Sequence, residues 1–306
     1  MASVHNVRSA STHELRDCVR LALARPEMSP RDLDIHVDAF LTHVKRQQLR
    51  PEYQLVVDNG GHRVTACVCI DAPGRSAMVF PPSVQANKAL TSCAGDMLRK
   101  LVSRLRRDGV RLLQCLLWPK VAEDETLLAE VGFEYLTELI YLDRRILMRQ
   151  RASATGLPLT WCTYDAQSHD LFLETIRATY GQSLDCPRLN GLRDMSDVLA
   201  GHKATGQFDA SDWSLALLRG EPAGVLLLSR VSQRRAMEVV YMGVVPEARG
   251  QGVATALLQR ALARSRERRV ARLILAVDAN NLPAMTLYDR FGFFETARRR
   301  AWIYPL

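Results

Sequence analysis

The stretch VVYMGVVPEARGQGVATALLQRALA, Val239 to Ala263, holds residue types suited to binding an anion. The apolar run over 236–246 reads as a buried strand and 252–269 reads as a helix, so EARGQG is a strand-to-helix turn. A helix begins with backbone N–H groups that lack partners and with the positive end of its dipole. Gly250 and Gly252 keep side chains out of the turn and let a ligand come close to the backbone. Successive N–H groups facing one concavity bind phosphate, and Arg249 adds charge. A tight turn alone would also use these glycines. The preceding strand, the arginine and the small Ala254 together favour a phosphate or pyrophosphate. The turn has neither the Gly-Lys-Ser/Thr of a P-loop nor the third glycine of a dinucleotide fingerprint.

A second concentration of chemistry lies in TYGQSLDCPRLNGLRD, 179–194. Loops of mixed polar composition carry binding residues, and Asp185, Asn190 and Arg193 are candidates for holding a polar acceptor. Taken one at a time they are equally compatible with turn chemistry and with a helix cap at Asp194 or Ser196. Cys186 is not expected to act as a nucleophile, because no histidine is near it in sequence. Trp213 is expected in the core. The seven histidines form no ligand pairing, so no metal site is expected.

These residues need elements to position them, and the chain shows its plan by repeating it. MLRKLVSRLRRDGVRLLQCLL (97–117) and LLQRALARSRERRVARLILAV (257–277) align without gaps at an offset of 160. At the same offset LLAEVGFEYL (127–136) falls on LYDRFGFFET (287–296), and YQLVVDNGG (53–61) falls on WSLALLRGE (213–221). Each half reads as two helices (12–24 and 30–47; 168–180 and 192–204), then a hairpin turning at DNGG (58–61) or RGEP (219–222). A strand, a long helix, a strand, a short helix and a last strand follow. Helices on both sides of a mixed, largely antiparallel sheet give an α/β (α+β) class. MRQRASATGLP (148–158) reads as the linker, dividing the chain into 1–147 and 158–306.

With those motifs in place, RGQGVA (249–254) resembles the Arg/Gln-x-x-Gly-x-Gly/Ala loop of the GNAT acetyltransferases. NLPAMTLYDRFGF (281–293) is similar to that family's Asn-x-x-Ala-x-x-x-Tyr-x-x-x-Gly-Phe signature. The tandem layout resembles that of the mycothiol synthase group. The resemblance covers roughly 158–306 and implies acetyl-CoA as co-substrate. By it, Val244 and Val245 would offer backbone groups to the pantetheine arm. Arg249, Gly250, Gln251, Gly252, Val253 and Ala254 would present N–H groups to the pyrophosphate. Asn281 would lie by the pantetheine, and Tyr288 near the thioester sulfur, as the acid for the leaving thiolate. Glu238 resembles in position the family's catalytic glutamate. A carboxylate half-buried there has a raised pKa and acts as base near neutrality, whereas at an exposed strand end it would do neither. The first half carries none of these residues: Tyr288 falls on Leu128, Asn281 on Val121 and Glu238 on Met78. The implied reading is one degenerate GNAT-like domain and one that transfers acetyl to an amine. The alternative is a non-catalytic acyl-CoA sensor or scaffold, which needs the phosphate loop but not Tyr288 or Glu238. Only about one strand's worth of chain follows Phe293, where many relatives have two, so that strand is free to pair across the duplicated halves.

Composition sets the remaining bounds. Of 306 residues, 47% are hydrophobic and 24% charged, as in globular chains. All but five of the 41 basic residues are arginine and the formal charge is +8. The Arg-rich helix 260–272 lacks interleaved aromatics, so no nucleic-acid partner is expected. No apolar run approaches a membrane span. The N-terminal residues carry no signal-like core, and the seven cysteines contain no CxxC pair. A cytoplasmic location with reduced thiols is therefore expected. Cys67 and Cys69 share one strand face and are expected in the core.

Overall fold

The computed structural model describes residues 6–24, 28–44, 49–59, 62–82, 84, 91–119, 122–147 and 156–306. They form two compact units, Met1–Leu136 with Arg299–Leu306, and Thr137–Arg298. The first unit runs β1 (Asn6–Ser9), α1 (Leu15–Leu23), α2 (Pro30–Val44), β2 (Leu55–Asn59), β3 (His62–Ala72), β4 (Ser76–Phe80), α3 (Thr91–Arg107), β5 (Leu112–Leu117) and α4 (Ala122–Val131), with β6 (Glu134–Arg145) leaving it. The second runs β7 (Leu159–Thr163), α5 (His169–Thr179), α6 (Met195–Ala204), β8 (Trp213–Leu218), β9 (Glu221–Val231), β10 (Ala236–Val244), α7 (Val253–Glu267), β11 (Arg272–Asp278), α8 (Leu282–Arg290) and β12 (Phe294–Pro305).

Within each unit the pairing is the same. Three antiparallel contacts, β1–β2–β3–β4 and β7–β8–β9–β10, are followed by one parallel contact, β4–β5 and β10–β11. The last strand of each sheet is supplied by the other half of the chain. Leu139–Arg145 of β6 pairs antiparallel with β11 in the second unit, and Arg300–Pro305 of β12 pairs antiparallel with β5 in the first. The free final strand expected from the short C-terminus thus pairs across the halves. Through this exchange the compact units divide at 136/137 rather than at the 147/158 boundary read from the linker, most of which (148–155) lies outside the described residues.

In the second unit, one face of the sheet packs on α7 and α8 through Met237, Val239, Val253, Leu257, Leu273, Leu287 and Phe293. The other packs on α5 and α6 through Phe172, Ile176, Leu199, Trp213, Leu215 and Leu227. Two glycines make both contacts close. A Cβ on Gly224 would stand 3.0 Å from Leu257 of α7, and one on Gly243 would stand 2.8 Å from Thr179 of α5. Arg219 and Gly220, both with positive φ, turn the β8–β9 hairpin as RGEP predicts. Trp213 is fully buried, as are Cys67 and Cys69, and all seven cysteines are free thiols. A strand, β1 or β7, precedes the helices in each half, which the sequence reading had placed first. Among the described residues no helix is long and apolar enough to cross a membrane, and no His/Cys/Asp/Glu group has metal-holding geometry.

Candidate functional site

The site is built where β10 and β11 part. They pair in parallel only through Ala236–Glu238 with Arg272–Ile274. Beyond that both strands continue, β11 held on its far side by β6 and β10 by β9. A register shift between Val239 and Tyr241 bends β10 at the point of separation. The Val245 N–H donates to Ala223 O at 3.1 Å. Backbone groups alternate along a strand, so Gly243 also points its N–H at β9. Met242 and Val244 point theirs away from it, into the wedge between β10 and β11.

The wide end of the wedge meets the start of α7. Gly252 is the N-cap residue, with φ +88°, and no side chain caps the helix. The first helical bond there is Ala256 N–H to Gly252 O, 3.1 Å. The N–H groups of Gly252, Val253 and Ala254 have no hydrogen-bond partner among the described residues, at the positive end of a 15-residue helix with no acidic residue in its first turn. Gly250, φ +76°, and the exposed Gln251 complete the turn, and Gln251 Nε2 donates to Glu247 O at 2.8 Å. These residues place unpartnered N–H groups side by side at the turn, as a cradle for an anion would.

Two of the sequence candidates have different partners from those expected. Arg249 turns its guanidinium away from the cradle. Nε donates to Val244 O (3.2 Å), Nη1 to Gln182 O (3.1 Å), and Nη2 to Thr179 O (3.0 Å) and Gly181 O (2.6 Å). Its own N–H donates to Pro246 O. The reason is local: α5 ends at Thr179 with carbonyls that have no helical partner, and a guanidinium carries five donors. Val245 likewise has both backbone groups engaged, its N–H by Ala223 and its C=O by the Ala248 N–H at 3.0 Å.

On the β11 side, Asn281 caps α8, its Oδ1 accepting the Ala284 N–H at 3.3 Å. Tyr288, on α8, is 7% exposed and meets Phe293 edge-on at 5.5 Å. Burial pushes its phenol pKa well up, and the Asp185 carboxylate adds to the shift. Glu238 is half-buried at the closed end of the wedge, on the α5/α6 face. Its carboxylate has no hydrogen bond or ion pair among the described residues, and burial pushes its pKa up against a smaller opposing pull from Arg234.

The loop 179–194 comes to this site through a residue that sequence reasoning missed. Asp278, 2% exposed at the end of β11, accepts from Thr137 Oγ1 (2.7 Å), the Asn280 N–H (2.9 Å) and the Cys186 N–H (3.1 Å). Its own N–H donates to Asp185 Oδ1 at 3.3 Å. Cys186 takes φ +46° at this contact, and burial raises its thiol pKa. Desolvation also raises the Asp185 carboxyl. Asn190 donates from Nδ2 to Tyr180 O at 3.3 Å and stays exposed, and half-buried Arg193 has its pKa lowered by burial. Also missed were Tyr241 and His202, which stack at 5.4 Å on the same face of β10.

A parallel pair splayed beside a glycine-capped helix defines a class. Residues 183–293 match the acetyltransferase (GNAT) family. The whole chain shares the fold of a GCN5-related N-acetyltransferase from Sphaerobacter thermophilus, with a TM-score of 0.64 at 16% identity over 98% of this chain and 95% of that one. It also shares the fold of a tandem GNAT protein from the clavulanic acid biosynthesis pathway, with a TM-score of 0.51 at 16% identity over 98% of each chain. The fold is therefore that of the GCN5-related N-acetyltransferases.

Among curated proteins, a mycothiol acetyltransferase of Streptomyces griseus is 36% identical over 95 residues, 31% of each chain. One of Salinispora tropica is 39% identical over 115 residues, 31% of this chain and 38% of that one. An uncharacterized N-acetyltransferase of Methanocaldococcus jannaschii is 29% identical over 102 residues, 31% of this chain and 44% of that one. The chain spans less than half the length of these relatives.

Proposed function

We propose that the protein is an acyl-CoA-dependent N-acetyltransferase, built as two tandem GNAT-like domains, whose second half (158–306) transfers acetyl from acetyl-CoA to an amine while the first (1–147) is degenerate. The observation that carries this reading is the continuity of the wedge with the α7 cradle. The cradle suits a pyrophosphate. The open edge of β10 suits an extended, amide-bearing arm that adds to it as a strand would. An arm running from the cradle past Val244 to Met242 delivers its thioester to the closed end, where Glu238 lies. Partial relatives named mycothiol acetyltransferase support the reaction class.

The chemistry follows from the groups there. The amine nitrogen attacks the thioester carbon, the C–S bond breaks, and an N–H from the edge of β10 stabilises the oxyanion. Glu238, its pKa raised toward neutrality, takes the ammonium proton through water. Tyr288, held protonated by burial, gives its proton to the departing thiolate and regains one from solvent. Val245 and the side chain of Arg249 act structurally in this scheme. Asn281 holds the start of α8 beside the arm.

Calorimetry with acetyl-CoA tests the reading, on the native protein and on Gly252→Trp. The expected result is one equivalent bound, lost in the variant, because an indole at φ +88° both strains the cap and fills the cradle. Two equivalents would refute the degeneracy of the first half, and no binding would refute the function.

A further inference from the structure

Residues 179–186 run from one strand of the wedge to the other. The first of them sit on the end of β10. Arg249 holds the carbonyls of Thr179, Gly181 and Gln182, and a Cβ on Gly181 would stand 3.1 Å from Pro246 Cγ. The last sit on the end of β11, where Asp278 accepts the Cys186 N–H and donates its own N–H to Asp185 Oδ1. β10 and β11 have parted by then, so the segment between the anchors, Gln182 to Cys186, crosses the wide end of the wedge. Four residue steps reach at most about 14 Å, so the crossing is short. Gln182 (φ +52°) and Cys186 (φ +46°) are both non-glycine residues in the left-handed region. Such backbone persists where surrounding contacts fix it, and each of the two is itself an anchor. Between them the Asp185 N–H donates to Ser183 Oγ at 3.1 Å.

This strap changes what the two strand edges offer. The Ala279 N–H donates to Glu138 O of β6 at 2.9 Å. Backbone groups alternate along a strand, so the Asp278 N–H points the other way, toward β10 and into the wedge. Asp185 Oδ1 caps it. The seat is firm without the strap, because the buried Asp278 carboxylate also accepts from Thr137 Oγ1 (2.7 Å) and the Asn280 N–H (2.9 Å). On the facing edge, the N–H groups of Met242 and Val244 have no side-chain acceptor among the described residues. An extended arm pairs with whichever edge has free groups. With the mouth of one edge capped and the other open, the wedge is one-sided.

We propose that Asp185, seated by Asp278, is a positioning residue for the acyl-CoA arm: it closes the mouth of the β11 edge, and the strap 182–186 covers the arm where it enters, so the arm pairs with β10 alone. The inference rests on the acetyl-CoA reading of the wedge and goes beyond it by giving the 179–194 loop a role toward the donor. Both residues act at the wide end, away from Glu238 and the thioester. They remove a competing register for the arm. They also hold one wall of its path in order before binding, which lowers the entropy lost when the arm docks.

The test uses the whole protein and two probes: acetyl-CoA, and its nucleotide stripped of the pantetheine arm (phospho-ADP). The first is titrated by calorimetry and the second by competition against it. Asp185→Ala is expected to weaken acetyl-CoA by about twofold to tenfold, the size of one lost hydrogen bond. Nucleotide affinity stays unchanged, because the α7 cradle is untouched. Asp185→Asn keeps an oxygen for the Asp278 N–H and restores most of the acetyl-CoA affinity. Asp185 is exposed, so neither variant moves the unfolding midpoint. Asp278→Ala removes the seat and shows the same selective loss, with a lower midpoint from its broken buried bonds. Amide exchange on the native protein gives a second readout: acetyl-CoA slows Met242 and Val244 and leaves Asp278 as it was. Equal weakening of acetyl-CoA and nucleotide in Asp185→Ala overturns the proposal, because the strap would then act on the cradle. An unchanged acetyl-CoA affinity overturns it too, as does slowing at Asp278 as strong as on β10. Each of those results leaves the acetyltransferase reading standing. If the native protein binds no acetyl-CoA, both fall.

Discussion

Replacing Arg249 with methionine separates two roles that the sequence motif alone confuses. The guanidinium donates to four backbone carbonyls, of Val244, Thr179, Gly181 and Gln182, and so ties the cradle turn to the end of α5. Hydrogen bonds from a charged donor contribute about 1.5–3 kcal/mol each when counted alone. Four bonds sharing one guanidinium are not additive, and water reaches part of the vacated space, so the expected loss is about 2–3 kcal/mol. For a unit of this size that lowers the unfolding midpoint by roughly 4–12 °C. Acetyl-CoA affinity falls as well, by about tenfold or less, because a looser turn must be ordered on binding. Arg249→Lys recovers little, since one ammonium cannot reach four carbonyls. Differential scanning calorimetry and titration calorimetry on the same preparations check both numbers. An unchanged midpoint with affinity nearly abolished would refute the reasoning, because it would put the side chain on the ligand and not on α5.

Tyr288→Phe is expected to lower kcat by about 10²–10³-fold with acetyl-CoA affinity unchanged, as loss of a general acid does; an equal loss of affinity would make Tyr288 a packing residue. Glu238→Gln is expected to reduce turnover and to stabilise the fold at the same time. The folded pKa of Glu238 lies above its ordinary 4.5, so ionisation opposes folding, and the stability it contributes below that value is lost as pH rises through the folded pKa. Urea unfolding should thus show the variant gaining on the native protein at pH 8 and not at pH 4, and a gain at both would refute the assignment. Gly243→Ala places a methyl 2.8 Å from Thr179 and should cost about 1–3 kcal/mol as α5 moves off β10. Acceptor KM should rise with it, and an unmoved unfolding curve would show that the contact relaxes freely.

What the sequence revealed of the site follows the range of the interactions. The strand–turn–helix at the start of α7 was legible because a strand, two glycines and a helix start are contiguous, and positive φ at Gly250 and Gly252 is a local requirement. The hairpin at RGEP and the run of helices and strands were legible for the same reason. The side-chain contacts of Arg249 were not legible because three of its four partners lie 67 to 70 residues away, at the end of a helix whose position no local pattern gives. Asp278 was missed because its only signal is one carboxylate closing the apolar run LILAVD. The strand β7 was missed because five residues, LTWCT, are too few for period-two alternation to stand out. His202 attracted no attention because its significance comes from Tyr241, 39 positions on, and from a buried nitrogen that sequence cannot display.

The two halves share their order of elements and their pairings, yet they differ at the edge where an arm would lie. β10 runs six residues beyond its last pair with β11, and its outward N–H groups belong to Met242 and Val244. β4 pairs with β5 as far as Val79 and ends one residue later, at Phe80, followed by Pro81 and Pro82. At the offset of 160, Pro82 falls on Met242. A proline has no N–H to give a ligand and fixes its own φ. The first half therefore lacks the hydrogen-bonding edge as well as the glycines. A glycine loop grafted onto it would bind phosphate with nothing to receive the arm. This is why the open strand edge, more than the loop motif, supports placing the chemistry in the second half.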